Sequence, residues 1–403
     1  IFAIILFVIV YFLLLSLAIG FVSLCIIGGI GLIIAKPMVI TIGLGIGLAG
    51  LGVFILIFLF KFLFKQHKTD ISHLTEITRS EEPKIFALID EIVKEVKTDF
   101  PKKIYLSSDV NACVFYDSSF WSMFLPIRKN LQIGIGLTNT VSEQEFKAIL
   151  SHEFGHFSQR SMKVGSYVYN VNQVIFNMLF DNESFDNMIQ SWASISGYFS
   201  IFVFLGVKII NGIQWILGKM YGFVNIHYMA LSREMEFHAD EVAANIAGYL
   251  PLKESLLRLD LASHSLNSVL NYYEGKIPDN LKSKNIYKEQ LFVMNFLAKD
   301  SNLSFKNNLP LVSELDLSKY NKSKLNIKDQ WASHPSTEER IAALEKLNIL
   351  KEHTKTSPAI ALFSNPEKIE ERITTQLFKN ATYSGKATDL EIEKFQKEYT
   401  DIF

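Results

Sequence analysis

The stretch that decides the fold reads Ile-Leu-Ser-His-Glu-Phe-Gly-His-Phe at residues 149–157. It holds a His-Glu-x-x-His pattern inside a run of helix-forming residues. On a helix, His152 and His156 lie one turn apart on one face, so both imidazoles can reach a single metal ion. Glu153 follows the first histidine directly, and from there its carboxylate can reach a water on the metal without displacing it. The pattern indicates a zinc site with a general base, which is chemistry suited to amide hydrolysis.

The helix around this motif has a clear start and a close neighbour. Ser142 and Glu145 are spaced as in a capping box, in which each side chain accepts a hydrogen bond from the backbone N–H of the other residue. We therefore expect the helix to begin at Ser142. Gly155 costs about 1 kcal/mol relative to alanine inside a helix, which indicates that another element packs closely against it.

A catalytic zinc site normally takes three protein ligands, so a third ligand must come from elsewhere in the chain. The best candidate lies in Ser-Arg-Glu-Met-Glu-Phe-His-Ala-Asp at residues 232–240, where Glu236 and Asp240 share a helical face. Glu236 would bind the metal, and Asp240 would hold a ligand imidazole by its other nitrogen. Without the first motif, an ordinary solvated acidic helix face would be the preferred interpretation.

Together the two motifs resemble those of the HtpX and CAAX prenyl protease family of integral-membrane zinc metallopeptidases. That family follows His-Glu-x-x-His with a later Ser-Arg-x-x-Glu-x-x-Ala-Asp pattern. Here its positions are filled by Ser232, Arg233, Glu236, Ala239 and Asp240. The resemblance implies an α+β, mainly α-helical fold, in which transmembrane helices accompany a gluzincin metallopeptidase domain with a small β-sheet.

The resemblance also implies the roles of the site residues. One zinc ion per chain would bind His152, His156 and Glu236. Glu153 would act in catalysis, and Asp240 would support a ligand histidine.

Residues 331–341 look like the His-Pro-to-Arg-Ile segment near the end of these domains. Its His334 either approaches the metal, as in some relatives, or begins a helix before Pro335. An oxyanion formed in amide hydrolysis needs a partner besides the metal. His334 is the first candidate for that role, and Arg233 is the second.

A small sheet is predicted from strands at residues 103–106 and 131–136, around residues 110–115. Asn111 and Ala112 look like part of the edge strand of gluzincins, whose backbone pairs with an extended substrate. Pairing of that kind reads the shape of a peptide more than its side chains. A plain core strand is the alternative for the residues that follow.

Two uncharged runs open the sequence, residues 1–35 and residues 38–60. A spanning helix needs about 20 apolar residues, so each run is long enough to cross a bilayer. A cleaved signal peptide is the competing interpretation of the first run, but no basic stretch precedes it and a second run follows. Glycines such as Gly43 and Gly47 predict close contacts between these helices.

Basic residues beside the runs predict the orientation. Lys61, Lys65 and Lys68 follow the second run, whereas Lys36 alone follows the first. Basic residues stay on the cytoplasmic side, so the rest of the chain should lie there. The expected location is the cytoplasmic (inner) membrane, with several passes and the catalytic domain facing the cytoplasm. The formal net charge of −1 gives no sign of nucleic-acid binding.

We predict five segments along the chain. Residues 1–64 form a transmembrane helical hairpin, residues 65–160 and 232–350 form two parts of the metallopeptidase domain, residues 161–231 form a membrane-associated helical hairpin, and residues 351–403 form a solvated helical tail. Because the two motifs must bind one metal, the chain between them crosses the membrane an even number of times. It forms either a spanning hairpin or a pair of helices along the interface.

The sequence as a whole predicts a membrane-embedded zinc metalloendopeptidase acting on membrane or misfolded proteins at the cytoplasmic face, in protein quality control. Its partners would be the polypeptide substrate and the lipid bilayer. The alternative is a zinc-stabilised membrane adaptor or sensor that binds substrate without cutting. Glu153 argues against the adaptor, because an adaptor needs no general base.

Cysteine labelling of intact membranes can test this topology, in a variant whose two native cysteines are replaced by serine. Lys68→Cys and Lys163→Cys should react with an impermeant reagent only from the cytoplasmic side. Asp186→Cys should react only from the other side, because it lies in the acidic turn between the two limbs of the predicted hairpin. Labelling of Asp186→Cys from the cytoplasm would contradict the hairpin and favour helices along the interface.

Overall fold

A computed structural model of the chain describes residues 2–64, 66–67, 70–115, 118–119, 129–156, 175–176, 179–180, 182–194, 197–316, 335–352 and 355–402. The predictions for His334, for Lys68 and Lys163, and for most of the limb at 164–180 lie outside these residues. The chain divides into two compact units. The first unit comprises Ile1–Lys68, Asp117–Ile127 and Lys163–Ser232, and the second comprises Thr69–Tyr116, Arg128–Met162 and Arg233–Phe403.

The described α-helices, in chain order, are α1 (Phe2–Ala35), α2 (Val39–Phe64), α3 (Pro83–Val96), α4 (Ile135–Thr138), α5 (Glu143–Gly155), α6 (Glu183–Ala193), α7 (Gly197–Ala247), α8 (Tyr249–Glu274), α9 (Ile286–Asp300), α10 (Thr337–Leu347), α11 (Pro366–Phe378) and α12 (Ile392–Ile402).

The described strands are β1 (Gln66–His67), β2 (Thr75–Ile77), β3 (Ile104–Ser107), β4 (Ala112–Phe115), β5 (Ser118–Ser119), β6 (Asn130–Gly134), β7 (Leu281–Ser283), β8 (Ser304–Lys306), β9 (Leu309–Leu311) and β10 (Thr388–Leu390). Strands β1 and β5 pair in the first unit, while β7 with β10 and β8 with β9 form two-stranded sheets in the second.

The second unit is built on a four-stranded sheet in the order β2-β3-β6-β4. Strands β3 and β6 run parallel, and the outer strands run antiparallel to their neighbours. Its inner face carries Leu131 and Ile133, which are fully buried in the same core as α3 and α5. Strand β4 pairs only with β6 among the described strands, so it forms an edge of this sheet. The predicted small sheet is therefore present, and residues 112–115 lie at its edge.

Helix α3 shows why this core forms. Pro83 stands at the start of the helix, where a missing N–H costs no hydrogen bond. Ile85, Ile89 and Ile92 follow at the spacing of one helical face, and all three are fully buried. The apolar stripe predicted from the sequence is thus the surface that packs into the core of this unit.

In the first unit, α1 and α2 pack with their backbones close together. A Cβ atom on Gly29 would lie 2.5 Å from the carbonyl oxygen of Gly45, closer than any side chain allows. A Cβ on Gly43 would meet nothing within 4 Å. Glycines of the two runs do bring these helices together, as predicted. Gly29 and Gly45 make the contact, whereas Gly43 lies on an open side of α2.

The mainly helical α+β fold with a small sheet and apolar helices is confirmed. Within the described residues, three helices are long and apolar enough to cross a membrane, with candidate spans at Ile9–Ala35, Val39–Phe60 and Phe199–Ala247. Large apolar side chains remain exposed on the outer sides of these helices, as a lipid-facing surface requires. The five-segment division stays a prediction.

The tail differs from the solvated appendage expected at residues 351–403. Ile373 of α11 and Phe395 and Tyr399 of α12 belong to the main core of the second unit. Phe395 is fully buried and stacks on Tyr273 of α8, with 5.9 Å between the ring centroids. The many Glu and Lys residues of the tail occupy the other faces of these amphipathic helices, which is why its composition looked solvated.

Removing the Phe395 side chain should therefore destabilise the second unit. Phe395→Ala should lower the free energy of unfolding by about 3–5 kcal/mol, because a fully buried aromatic ring leaves a cavity. Lys397→Ala, an exposed change on the same helix, should alter it by less than about 0.5 kcal/mol. Thermal melting of both purified variants in detergent tests this. Equal melting temperatures would contradict the burial of Phe395 in the core of the second unit.

Candidate metal centre

Helix α5 begins where the sequence predicted. The Ser142 backbone N–H donates to Glu145 Oε2 at 2.7 Å, and the Glu145 backbone N–H donates to Ser142 Oγ at 3.3 Å. Arg258 of α8 donates to both oxygens of Glu145, at 3.0 and 2.9 Å, and this ion pair is almost fully buried. Loss of one partner from a buried ion pair strongly destabilises a protein. The pair of Glu145 with Arg258 therefore fixes the start of α5 on α8.

The other end of α5 touches α7 at Gly155. A Cβ atom on Gly155 would lie 3.2 Å from both the Cα of Ala239 and the Cβ of Val242. That spacing is too tight for an ordinary side chain, and Ala239 is itself fully buried. The close neighbour predicted for Gly155 is thus α7. The contact places the two histidines of α5 beside Glu236.

Three ligand-type atoms converge at this point. His152 Nε2 lies 3.2 Å from His156 Nε2 and 3.4 Å from Glu236 Oε2, and His156 Nε2 lies 3.6 Å from Glu236 Oε1. Zinc bonds to nitrogen and oxygen are about 2.0–2.1 Å long, so donors at the corners of a tetrahedron around zinc are separated by roughly 3.3 Å. Both the distances and the donor types fit one zinc ion held by these three residues, and His152 and Glu236 are buried.

Asp240 holds the first of these histidines from behind. Its Oδ1 lies 2.8 Å from His152 Nδ1, and its side chain is 1% exposed. Arg340 of α10 donates to the same carboxylate from Nε at 2.9 Å and from Nη2 at 2.6 Å. The hydrogen bond to Asp240 places the proton of neutral His152 on Nδ1, which leaves the Nε2 lone pair for a metal.

The electrostatics of the two histidines reflect this crowding. Burial and the neighbouring His152 lower the pKa of His156 to about 3. Burial opposes a charge on His152, but its hydrogen bonds to Asp240 and Glu236 outweigh that effect and raise its pKa to about 9. A cation among the three donors would replace the proton that His152 otherwise shares with Glu236, so metal uptake would release a proton.

Glu153 lies beside the three donors without being one of them. Burial, with the nearby charge of Glu236 adding to it, raises the pKa of Glu153 to about 7. The nearby backbone N–H of Val114 on β4 opposes this rise in the pKa, because it favours the charged form of the carboxylate. A carboxylate with a pKa near neutrality can both accept and return a proton, as a general base must.

The edge strand β4 is oriented for pairing with a peptide. The carbonyl of Asn111 accepts from the Gly134 N–H at 2.8 Å, which turns it towards β6. In an antiparallel pair the direction alternates along the strand, so the backbone groups of Ala112, which is 3% exposed, and of half-buried Val114 point away from β6. Of the two residues predicted to bind substrate, Ala112 has the suitable backbone direction, whereas Asn111 can contribute only its exposed side chain.

Arg233 pairs with Glu339 of α10, with 2.8 Å between Nη2 and Oε2. Glu339 also closes the capping box that starts α10 at Ser336. The role of Arg233 as a partner of an oxyanion stays a prediction, since in the structure Arg233 pairs with the carboxylate of Glu339. His334 lies outside the described residues.

Two contributors were missed from the sequence. Arg340 lies within the 331–341 segment, but nothing in local spacing connects it with Asp240, which is 100 residues earlier. Val114 acts through its backbone N–H, which carries no residue-type signal. The resemblance of the 331–341 segment to a family pattern was the available hint for Arg340.

The chain is similar in sequence to known proteases. A family model described as Peptidase family M48 matches residues 80–348. A protease HtpX homolog of Persephonella marina is 26% identical over 201 residues, which cover 48% of this chain and 62% of that protein. Protease HtpX of Vibrio cholerae is 27% identical over 134 residues, which cover 33% of this chain and 44% of that protein. The chain thus spans less than two thirds of the length of these curated relatives.

Among solved structures, the crystal structure of S. mikatae Ste24p matches with a TM-score of 0.30 and 19% identity, over 82% of this chain and 64% of that one.

The role of Arg340 can be tested through metal affinity. Arg340→Ala should weaken zinc binding about 10- to 100-fold, because Asp240 loses the partner that orients it towards His152. Arg233→Ala, which also removes an arginine from a carboxylate pair but leaves Asp240 untouched, should bind zinc as the parent does. Competition with a chelator measures both affinities. Equal affinity in the two variants would show that Arg340 does not support the site.

Proposed function

This chain belongs to peptidase family M48, and on that premise we propose that it is a membrane-embedded, zinc-dependent endopeptidase. The observation that carries the proposal is the convergence of His152, His156 and Glu236 at the spacing of a zinc tetrahedron, with Glu153 beside them. Three protein ligands leave a fourth position for water, which distinguishes catalytic zinc sites from closed structural ones.

Zinc bound there supplies a Lewis acid that polarises the scissile carbonyl and makes water a better nucleophile. Glu153 takes a proton from the attacking water and passes it to the nitrogen of the leaving amine. The burial of Glu153 beside Glu236 suits that exchange, because a pKa of about 7 keeps the protonated and ionised forms of the carboxyl group close in energy. The nearby Val114 N–H favours the ionised form of Glu153, which is the form that accepts the proton.

The remaining residues keep the site in order. Asp240 fixes the ring orientation of His152, and Arg340 neutralises and orients Asp240. We assign the additional oxyanion partner to His334 first and to Arg233 second, as the sequence resemblance implies. Arg233 would have to leave Glu339 in order to act.

The substrate class follows from the edge strand. The backbone groups of Ala112 and the carbonyl of Val114, which point away from β6, match an extended polypeptide that adds to the sheet as a further strand. The apolar helices of the first unit would keep the chain in the bilayer, where membrane or misfolded proteins are the accessible substrates. We assign the second unit to the cytoplasmic face because basic residues follow the second apolar run of the sequence.

Separating catalysis from metal binding tests the mechanism. Glu153→Gln keeps the size of the side chain but cannot accept a proton, so zinc content should persist. Cleavage of a model membrane protein should fall by about 10² to 10⁴, the usual contribution of a general base. His152→Ala should abolish cleavage by losing the metal instead. Metal analysis and single-turnover cleavage of the same preparations distinguish the two cases.

Two outcomes would contradict the proposal. Cleavage by Glu153→Gln within roughly threefold of the parent, a barrier difference below about 1 kcal/mol, would exclude Glu153 as the base. A parent chain that binds zinc and unfolded membrane proteins but cuts none of them would support the adaptor function instead.

A further inference from the structure

Lys208 introduces a charge into the apolar part of α7 and takes no part in the metal centre. From residue 187 to residue 218 it is the only charged residue in the sequence. Its side chain is exposed, and its Nζ lies over the ring of Phe204, 5.4 Å from the centroid. Charged residues within membrane spans are rare and generally mark a functional contact.

Lys208 lies on one well-defined face of the helix. Phe204, Trp215 and Lys219 fall within about 40° of it at the helical period of 100° per residue. Phe204 and Trp215 are 60% and 66% exposed, and Lys219 lies over the Trp215 ring at 5.8 Å. The opposite side packs inside the first unit, where the buried side chains are Val203, Ile210, Ile213 and Leu217. We call the four exposed residues the Lys208 face.

The depth of Lys208 follows from the length of the helix. A Trp–Lys pair such as Trp215 with Lys219 is typical of the membrane–water interface. At a rise of 1.5 Å per residue, Lys208 lies about 16 Å from Lys219 and about 16 Å from Gly197, where α7 begins. With α7 spanning a bilayer core about 30 Å thick between these two ends, a lysine side chain of about 6 Å would not bring its ammonium to either surface.

The described apolar helices of the first unit offer no counter-charge at that depth. The apolar stretches at residues 1–60 and 197–219 contain no aspartate or glutamate. Among the described residues no carboxylate pairs with Lys208. A second copy of the chain would bring the same uncharged stretches, so self-association would leave the ammonium unpaired. Phosphates of lipid headgroups lie at the interface, too far from the middle of the span.

We propose that the Lys208 face is an intramembrane docking site for a transmembrane segment of another protein that carries a carboxylate at mid-depth. The ammonium of Lys208 pairs with that carboxylate, and the flanking rings of Phe204 and Trp215 pack against apolar side chains on the partner helix. Such a pair satisfies both charges away from water, where each alone is unfavourable. The site depends on insertion of α7 in the membrane and not on peptidase activity.

Association with designed helices tests the proposal. The full chain, labelled with a fluorescent acceptor, is reconstituted in nanodiscs with donor-labelled synthetic Leu-Ala helices that carry a central Asp, Asn or Leu. The Asp helix should associate about tenfold more tightly than the Leu helix, as expected for one polar pair inside a membrane. Lys208→Leu should remove that preference, and Lys208→Asp should transfer it to a helix with a central Lys.

Lys219→Leu is the matched control, because it removes a lysine from the same face at a depth where water can reach it. It should leave the preference for the Asp helix unchanged. Equal association of the Asp and Leu helices with the parent chain would overturn the proposal, and this comparison needs no variant to fold. A preference that persists in Lys208→Leu would overturn it as well. Since binding is the readout, neither result depends on whether the chain cleaves peptides.

Discussion

The metal centre of the second unit depends on the contact between α5 and α7 at Gly155 and Ala239. The three donors come from two helices, and a zinc ion tolerates deviations of only a few tenths of an ångström in ligand distance. A Cβ atom at Gly155 would lie 3.2 Å from the Cα of Ala239, so a side chain there would need α7, which carries Glu236, to give by a few tenths of an ångström. The buried pair of Glu145 with Arg258 fixes the far end of α5, so the helix cannot relieve a clash by shifting along its axis.

This contact also gathers more negative than positive charge in a buried space. Glu236 and Asp240 contribute two carboxylates, and Arg340 contributes one permanent positive charge. Burying an uncompensated charge is expensive, so the pocket needs further positive charge among the donors. The proton on His152 supplies it, and a divalent cation would take the place of that proton. The same balance gives Arg340 its importance, because without it Asp240 would keep only its hydrogen bond to His152.

The sequence predicted those parts of the site whose chemistry is local. The helical spacing of His152 and His156, the capping box at Ser142 and the small residue at Gly155 all act within one or two turns, so the pattern alone indicates them. Arg340 reaches Asp240 only after the chain has folded, and the outward N–H of Val114 depends on the register of β4 against β6. The prediction of a solvated tail was wrong for a related reason. Phe395 and Tyr399 form a narrow apolar stripe on a helix rich in charged residues, and only the packed core shows what that stripe contacts.

The central claim is that His152, His156 and Glu236 bind one zinc ion, and X-ray absorption at the zinc edge of the purified full chain tests it most directly. The account predicts only nitrogen and oxygen neighbours at about 2.0–2.1 Å, with the outer-shell scattering of two imidazoles. Glu236→Ala should lose that signal together with the metal. A sulfur neighbour at about 2.3 Å, a single imidazole, or an unchanged spectrum in Glu236→Ala would contradict the proposed ligand set.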